Sequence, residues 1–327
     1  MLSGAARLRV CIAISGLVMA WTGTALSADY PVRPVRIIIP YTPGGAVDLM
    51  ARIIGEKLSG SFGQPVIPEN RPGAGAALGS ELVAKAAPDG YTILAATNGA
   101  MTINVGLYKN LPYNPVRDFE PVIQLANHAV VLIVNGESGV KSLPELVALV
   151  RSRPGKISGG SSGNGSTMHL ALAFMNKTAG LNITHVPYRG SAPATAAVAS
   201  GELQLSFMDI VPALPFAKAG RVRIVGVVGG ERTAIAPEVP TMEEGGLKGF
   251  DFVTWSGIFA PAGTPKDVVE RLNREIGRVL ADPDIRKRLI ALGGEPLGGP
   301  PEALGERVRR ELPMWTSLVQ DAGAKAE

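Results

Sequence analysis

Residues 158–169 read SGGSSGNGSTMH, a run of small and hydroxyl-bearing residues ending in a histidine. Glycines let a backbone approach a ligand closely, so the run suits a nucleophile elbow, a phosphate cradle or a turn that only binds. The segment GGSSG at 159–163 fits G-x-S-x-G with Ser161 at its centre. A hydrolase of that kind needs an acid and then a histidine downstream. The histidines are His128, His169 and His185, and no Asp or Glu stands between Ser161 and His185. That order is missing, although another triad order using His128 keeps a serine hydrolase centred on Ser161 as a rival reading.

Two further chemistries are poorly served. GAGAALG at 73–79 has the spacing of a relaxed dinucleotide fingerprint. The acid that should follow at the end of the next strand to hold a ribose is replaced by Asp89, in the turn before that strand. No G-x-x-x-x-G-K-[ST] occurs, and three scattered histidines give no metal-ligand spacing. No cofactor, metal or catalytic residue is therefore expected. What remains is a set of glycine or serine turns: YTPGGA (41–46), TNGA (97–100) and SSGNGST (161–167). Each follows a strand-like run and opens a helix-like one, where free N–H groups and the helix dipole hold a carboxylate without an arginine.

The elements that must position these turns alternate along the chain. VRIIIPY (35–41) is a β-branched run, followed by Leu49, Met50, Ile53, Ile54 and Leu58 at helical spacing. PVIPEN (65–70), a helix over 76–87 and YTILAAT (91–97) repeat the grammar. PVIQLAN and HAVVLIVN are strands with little between them, and Ser142 caps the helix after them. Strands KISGGS, NITHVPY, LQLSFM and VRIVGVV then alternate with helices, which predicts a parallel α/β sheet. In the last third FVTWSGIFAPAG is a strand, and a helix follows with Thr264 as N-cap and Pro265 at its first position. Two more helices, near 283–292 and 301–322, are expected to return onto the first domain.

The amino terminus sets the compartment. Arg7 and Arg9, the apolar run Val10 to Ala20 and a small-residue stretch before Asp29 form a secretory signal, too short for a bilayer span of about 20 residues. Cleavage near Ser27 or Ala28 leaves 299 of the 327 residues, enough for about two domains. Cys11 goes with the leader, so the mature chain forms no disulfide. The formal charge falls from +4 to +2 without Arg7 and Arg9, which argues against a nucleic-acid partner.

The segments RIIIPYTPGGAVDLMAR, GQPVIPENRPGAGAALGSELVAKAAPDGYTIL, GSSGNGSTMHLALAFM, HVPYRGSAPA, VPTMEEGGLKGF and WSGIFAPAGTPKDVVERLN, spread over the mature chain, resemble the periplasmic solute-binding proteins of tripartite tricarboxylate transporters, the Bug family. The resemblance implies a type II flytrap of two α/β domains joined by two crossover strands, closing on a small organic carboxylate. It also implies delivery to a permease of a small and a large membrane subunit. The ligand would be gripped by a first loop, Tyr41, Pro43, Gly44, Gly45 and Ala46, and by a second, Ser162, Gly163, Asn164, Gly165, Ser166 and Thr167. Thr97 and Asn98 match the strand end beside the first loop; Tyr188, Arg189 and Gly190 match a turn across the cleft. Gly44 and Gly45 are equally explained by the turn itself, Tyr188 by a core aromatic and Arg189 by a solvated charge. Asp48 is explained by the dipole of the helix it begins, and His169 is read as a structural bystander. Asp209 ends the strand LQLSFM; it either meets an amine or hydroxyl on the ligand or caps the following helix.

The expected organisation is a signal peptide 1–28, domain 1 from 29–127 plus 253–327, and domain 2 from 128–252. The expected function is periplasmic capture of a carboxylate by a monomer, for a permease or, alternatively, for a membrane signalling partner.

Overall fold

The computed structural model describes residues 30–188, 190–250 and 252–325; Arg189 and the segment 1–28 expected to be a signal peptide lie outside them. In chain order the elements are β1 (Val35–Ile39), α1 (Ala46–Phe62), β2 (Val66–Asn70), α2 (Ala77–Ala84) and β3 (Thr92–Thr97). A π-helical turn, Gly99–Ile103, runs into α3 (Asn104–Leu107). Then come β4 (Phe119–His128), β5 (Val130–Asn135), α4 (Leu143–Ser152), β6 (Ile157–Ser161), α5 (Thr167–Ala179) and β7 (Ile183–Pro187). They are followed by α6 (Ser191–Ala199), β8 (Leu205–Asp209), α7 (Ile210–Lys218) and β9 (Val222–Val228). The chain closes with β10 (Thr254–Pro261), α8 (Lys266–Ala281), α9 (Pro283–Ala291), β11 (Gly294–Pro296) and α10 (Pro301–Asp321).

Two sheets result, in the orders β11-β4-β10-β3-β1-β2 and β7-β6-β8-β5-β9. β1 shows why its residues make a central strand. Val35, Ile37 and Ile39 enter a core with α1, α8 and α9, while Ile38 enters another with α2 and the first half of α10. Both faces are covered, which suits the β-branched run Ile37–Ile39. β4 belongs to the first sheet and, one residue later, β5 belongs to the second, so the chain crosses between lobes at Ala129. It returns before β10, whose Ser256 Oγ lies 2.8 Å from His128 Nε2 at the end of β4. The two crossings are thus pinned side by side.

The sheets are mixed rather than purely parallel. β10 runs antiparallel to β3 and β4, and β5 antiparallel to β8 and β9. Each enters its sheet from the other lobe, from the end where the remaining long strands finish. Helix α10 also differs from expectation. Leu304 and Val308 pack on the first lobe, but Trp315 and Val319 pack with Phe250, Phe252 and Met175 of the second. The helix therefore straddles both lobes, and a Lys177–Asp321 ion pair of 2.7 Å fixes its far end to α5. Pro265, not Thr264, occupies the N-cap of α8, with Thr264 Oγ1 donating to the Pro261 carbonyl at 2.8 Å.

Candidate functional site

The first loop leaves β1 at its carboxyl end. Thr42, Pro43, Gly44 and Gly45 are exposed. Gly44 has φ +90°, a conformation that any side chain would strain. Behind the loop Asp48 is buried, and its Oδ2 accepts the Gly44 amide at 2.9 Å and Arg52 Nε at 3.2 Å. Its Oδ1 accepts Asn70 Nδ2 at 2.9 Å, and the same nitrogen reaches the Tyr41 carbonyl at 3.1 Å. Burial alone would raise the pKa of Asp48, but these bonds from Arg52, Gly44 and Asn70 carry it below the usual value. The acid thus faces the protein and staples the loop. The first turn of α1, whose N-cap Gly45 offers no side chain, is left to present N–H groups. Tyr41 is tied to the next strand: the Thr97 amide donates to its hydroxyl at 2.9 Å, and that hydroxyl lies 2.8 Å from Thr97 Oγ1.

The second loop leaves β6 at the equivalent end. Ser166 caps α5 by accepting the His169 amide at 3.2 Å, while its hydroxyl donates to the Gly163 carbonyl at 2.7 Å. Amides of the loop are consumed internally, Ser166 donating to the Gly163 carbonyl at 3.2 Å. Gly163 donates to Ser161 Oγ at 3.1 Å, and Gly165 donates to His169 Nδ1 at 3.1 Å. The His169 ring stacks on His185 with centroids 3.9 Å apart, and His185 Nε2 lies 2.7 Å from Ser161 Oγ. Burial lowers the pKa of both histidines, and the neighbouring His169 helps bring His185 to about 4. Neutral rings are what the geometry needs, because His169 Nδ1 must accept. His169 is thus a satisfied structural histidine, as expected, and its partner makes it a strut of the loop. Its signal was the four-residue spacing from Gly165 on the helix that the loop opens.

The same contacts bear on the hydrolase reading. Ser161 and His185 do meet, but Ser161 is fully buried, its oxygen receives the Gly163 amide, and the ring behind His185 is His169 rather than a carboxylate.

The two loops converge through domain 1. Asn98, fully buried at the end of β3, donates from Nδ2 to Thr167 Oγ1 at 3.4 Å. The hydroxyl of Thr167 thus faces a neighbouring lobe. Gly165, at φ +71°, sits where a Cβ would overlap Leu107 Cδ1 of α3. Gly165→Ala is expected to cost at least about 1–2 kcal/mol from the left-handed backbone alone. It should also displace the second loop from α3, and a lowered melting temperature together with a lost ligand-induced shift would register both.

Tyr188 and Gly190 join the second loop by backbone, donating to the Ser161 and Ser162 carbonyls at 3.1 and 3.2 Å. The Tyr188 hydroxyl is committed to Glu202 at 2.6 Å, before β8 and so toward the far end of the sheet. Burial, with Glu202 beside it, pushes its pKa up to about 12. Asp209 ends β8 at the cleft, and its Oδ2 accepts Ser191 Oγ at 2.7 Å. Ser191, His185, Asn70 and Leu107 were not singled out from the sequence as site residues. Each lies on a different element from the residue it supports.

Among the described residues no group of three or more His, Cys, Asp or Glu is placed to hold a metal, and no helix is long and apolar enough to cross a membrane. The arrangement binds: turns with exposed backbone, backed by buried side chains, at the facing strand ends of two lobes.

Comparison with known proteins agrees. The profile of the family described as "Tripartite tricarboxylate transporter family receptor" matches residues 50–323. Rpa4515 of R. palustris, solved with adipate, is 33% identical with a TM-score of 0.84, over 90% of this chain and 99% of that one. The periplasmic binding protein BugD is 34% identical with a TM-score of 0.80, over 91% and 100%. MatC of Rhodopseudomonas palustris, solved with bound malate, is 34% identical with a TM-score of 0.79, over 89% and 100%. The chain belongs to the periplasmic receptors of the tripartite tricarboxylate transporter family.

Proposed function

We propose that the protein captures a small organic carboxylate between its lobes, 29–127 plus 253–327 and 128–252, for uptake by the membrane subunits of a tripartite transporter. It is not an enzyme, and the segment 1–28 exports it to the periplasm. One observation carries the reading. The first loop is held by an acid, Asp48, that is turned inward and buried, so the cleft receives the amides of Gly45, Ala46 and the α1 terminus instead of a charge. Such groups favour an anion. Malate and adipate in two relatives supply the chemical class. Closure follows because a carboxylate that touches both loops binds the closed form better than the open one.

The test is thermal unfolding of the mature chain with mono-, di- and tricarboxylates, amino acids and aromatic acids. At about 100 times its Kd a ligand adds about 2.7 kcal/mol, a shift of several degrees. Asp48→Ala should abolish that shift, since Gly44, Asn70 and Arg52 lose their common acceptor. Silence of the wild type across the panel overturns the reading.

A further inference from the structure

Asp48 and Asp209 are both carboxylates at strand ends of the cleft, and their surroundings differ in kind. Asp48 has donors on both oxygens, from Gly44, Arg52 and Asn70. Asp209 sits at the N-cap of α7, with φ −63° and ψ 142°, yet makes no side-chain bond to the amides of that helix. It turns instead to the start of α6, where Ser191 Oγ donates to Oδ2 at 2.7 Å and accepts the Asp209 amide at 3.4 Å. The first residue before α6, Gly190, supplies no side-chain cap either. Asp209 is half-buried at the strand end, whereas Asp48 is 2% exposed. Burial raises its pKa and the Ser191 hydroxyl is the group that opposes the rise, so the carboxylate is short of donors.

Its place in the fold is the base of the cleft. Asp209 pairs with Val130, the first residue of β5, and the Ile210 amide donates to Ala129 at the crossing between lobes, 3.0 Å away. The next residue, Val211, packs against Gly293 of the first lobe. A ligand held by the two loops therefore has Asp209 within the same cleft, on the second lobe beside the hinge.

Resting on the carboxylate-capture reading, we propose that Asp209 is the specificity residue of the cleft: it accepts a hydrogen bond from a hydroxyl or ammonium group carried by the bound carboxylate. A second, unsubstituted carboxylate brought to that end meets a like charge, whereas a donor completes the shell that Ser191 alone leaves short. Sites built to bond a ligand donor reject the analogue lacking it, because the buried acceptor is then left unpaired.

The experiment compares matched sets by calorimetry: propionate, lactate and alanine; succinate, malate and aspartate; glutarate, 2-hydroxyglutarate and glutamate. In any set that binds, the hydroxyl or amino member should bind the wild type at least tenfold more tightly than its parent. Asp209→Asn should erase most of that preference, and more of it for the amino acid if the donor is an ammonium. The Ser191 hydroxyl can still donate to an asparagine oxygen, so the variant should fold; should it not, the wild-type preference alone decides. Equal or tighter binding of the unsubstituted acids overturns the proposal while leaving carboxylate capture intact. So does a preference that survives in Asp209→Asn. No binding by any carboxylate here or in the wider panel removes both.

Discussion

Glu311→Ala is expected to destabilise the mature protein by about 3–5 kcal/mol, the range for removing one partner of a buried charged pair. Glu311 lies on α10 and is 9% exposed. Its Oε2 accepts two indole N–H groups, Trp255 at 2.7 Å and Trp315 at 3.2 Å, and its Oε1 accepts Arg307 Nε at 2.7 Å. Arg307 also donates to Asn127 Oδ1 at 2.9 Å and lies over the Trp255 ring at 5.3 Å. Trp255 belongs to the core of the first lobe and Trp315 to that of the second, so one carboxylate fastens both cores beside the crossing strands. Alanine leaves two indole donors and a largely enclosed guanidinium without their acceptor. Glu311→Gln keeps one acceptor but sets an amide donor against either Arg307 or the indoles, so an intermediate loss of about 1.5–3 kcal/mol is expected. With Trp21 in the segment proposed as the signal peptide, Trp255 and Trp315 are the fluorescence reporters of the chain that follows it. Urea titration followed by their emission gives both values, and an alanine variant within 1 kcal/mol of wild type would sink the account.

That network was invisible in the sequence for a physical reason. The periodicity of 301–322 announces an amphipathic helix, but an apolar stripe records a buried face and not which lobe buries it. Leu304 goes to one core and Trp315 to the other. By contrast, VRIII was legible as a buried strand because Ile37 and Ile39 on one face and Ile38 on the other are β-branched, and each of them is covered. Strand direction was not legible: an apolar run records burial and not direction, and only the crossing between lobes sets β5 and β10 antiparallel to their neighbours. In the candidate site the glycine turns were readable as turns, since φ of +90° at Gly44 and +71° at Gly165 demand glycine. Their supports were harder to see. Asp48 looked sufficiently explained by the helix dipole, and its bond to the Gly44 amide depends on a loop conformation that the sequence does not state. His169 and His185 stack because β6 and β7 are neighbours, a pairing between residues sixteen apart that no local pattern contains.

The second large effect is a loss of stability in mild acid, expected between about pH 6.5 and pH 4. All three histidines are held below the ordinary value of 6.5 by burial: His128 and His185 at about 4, with His169 shifted in the same direction. The native state therefore keeps them neutral while the unfolded chain takes up protons at about 6.5. Because the unfolded state binds more protons in that window, stability rises with pH through it. It is complete above the unfolded value and levels off below the folded one. For His128, enclosed against Ser256, the shift corresponds to about 3 kcal/mol at about 1.4 kcal/mol per pH unit. Less is expected for His185, which is not fully enclosed. Asp48 acts in a different window: its lowered pKa contributes stability above the ordinary carboxylate value, lost only as pH falls below it. Urea midpoints at pH 7.5, 6 and 5 should fall in step, and His128→Gln should flatten the slope; a flat wild-type profile over that range would refute the assignment. Ligand affinity should weaken over the lower part of the same range. A proton on His169 Nδ1 removes the acceptor of the Gly165 amide and sets a cation against the His185 ring in a 3.9 Å stack, so the second loop loses its strut while the first, held by Asp48, keeps its shape.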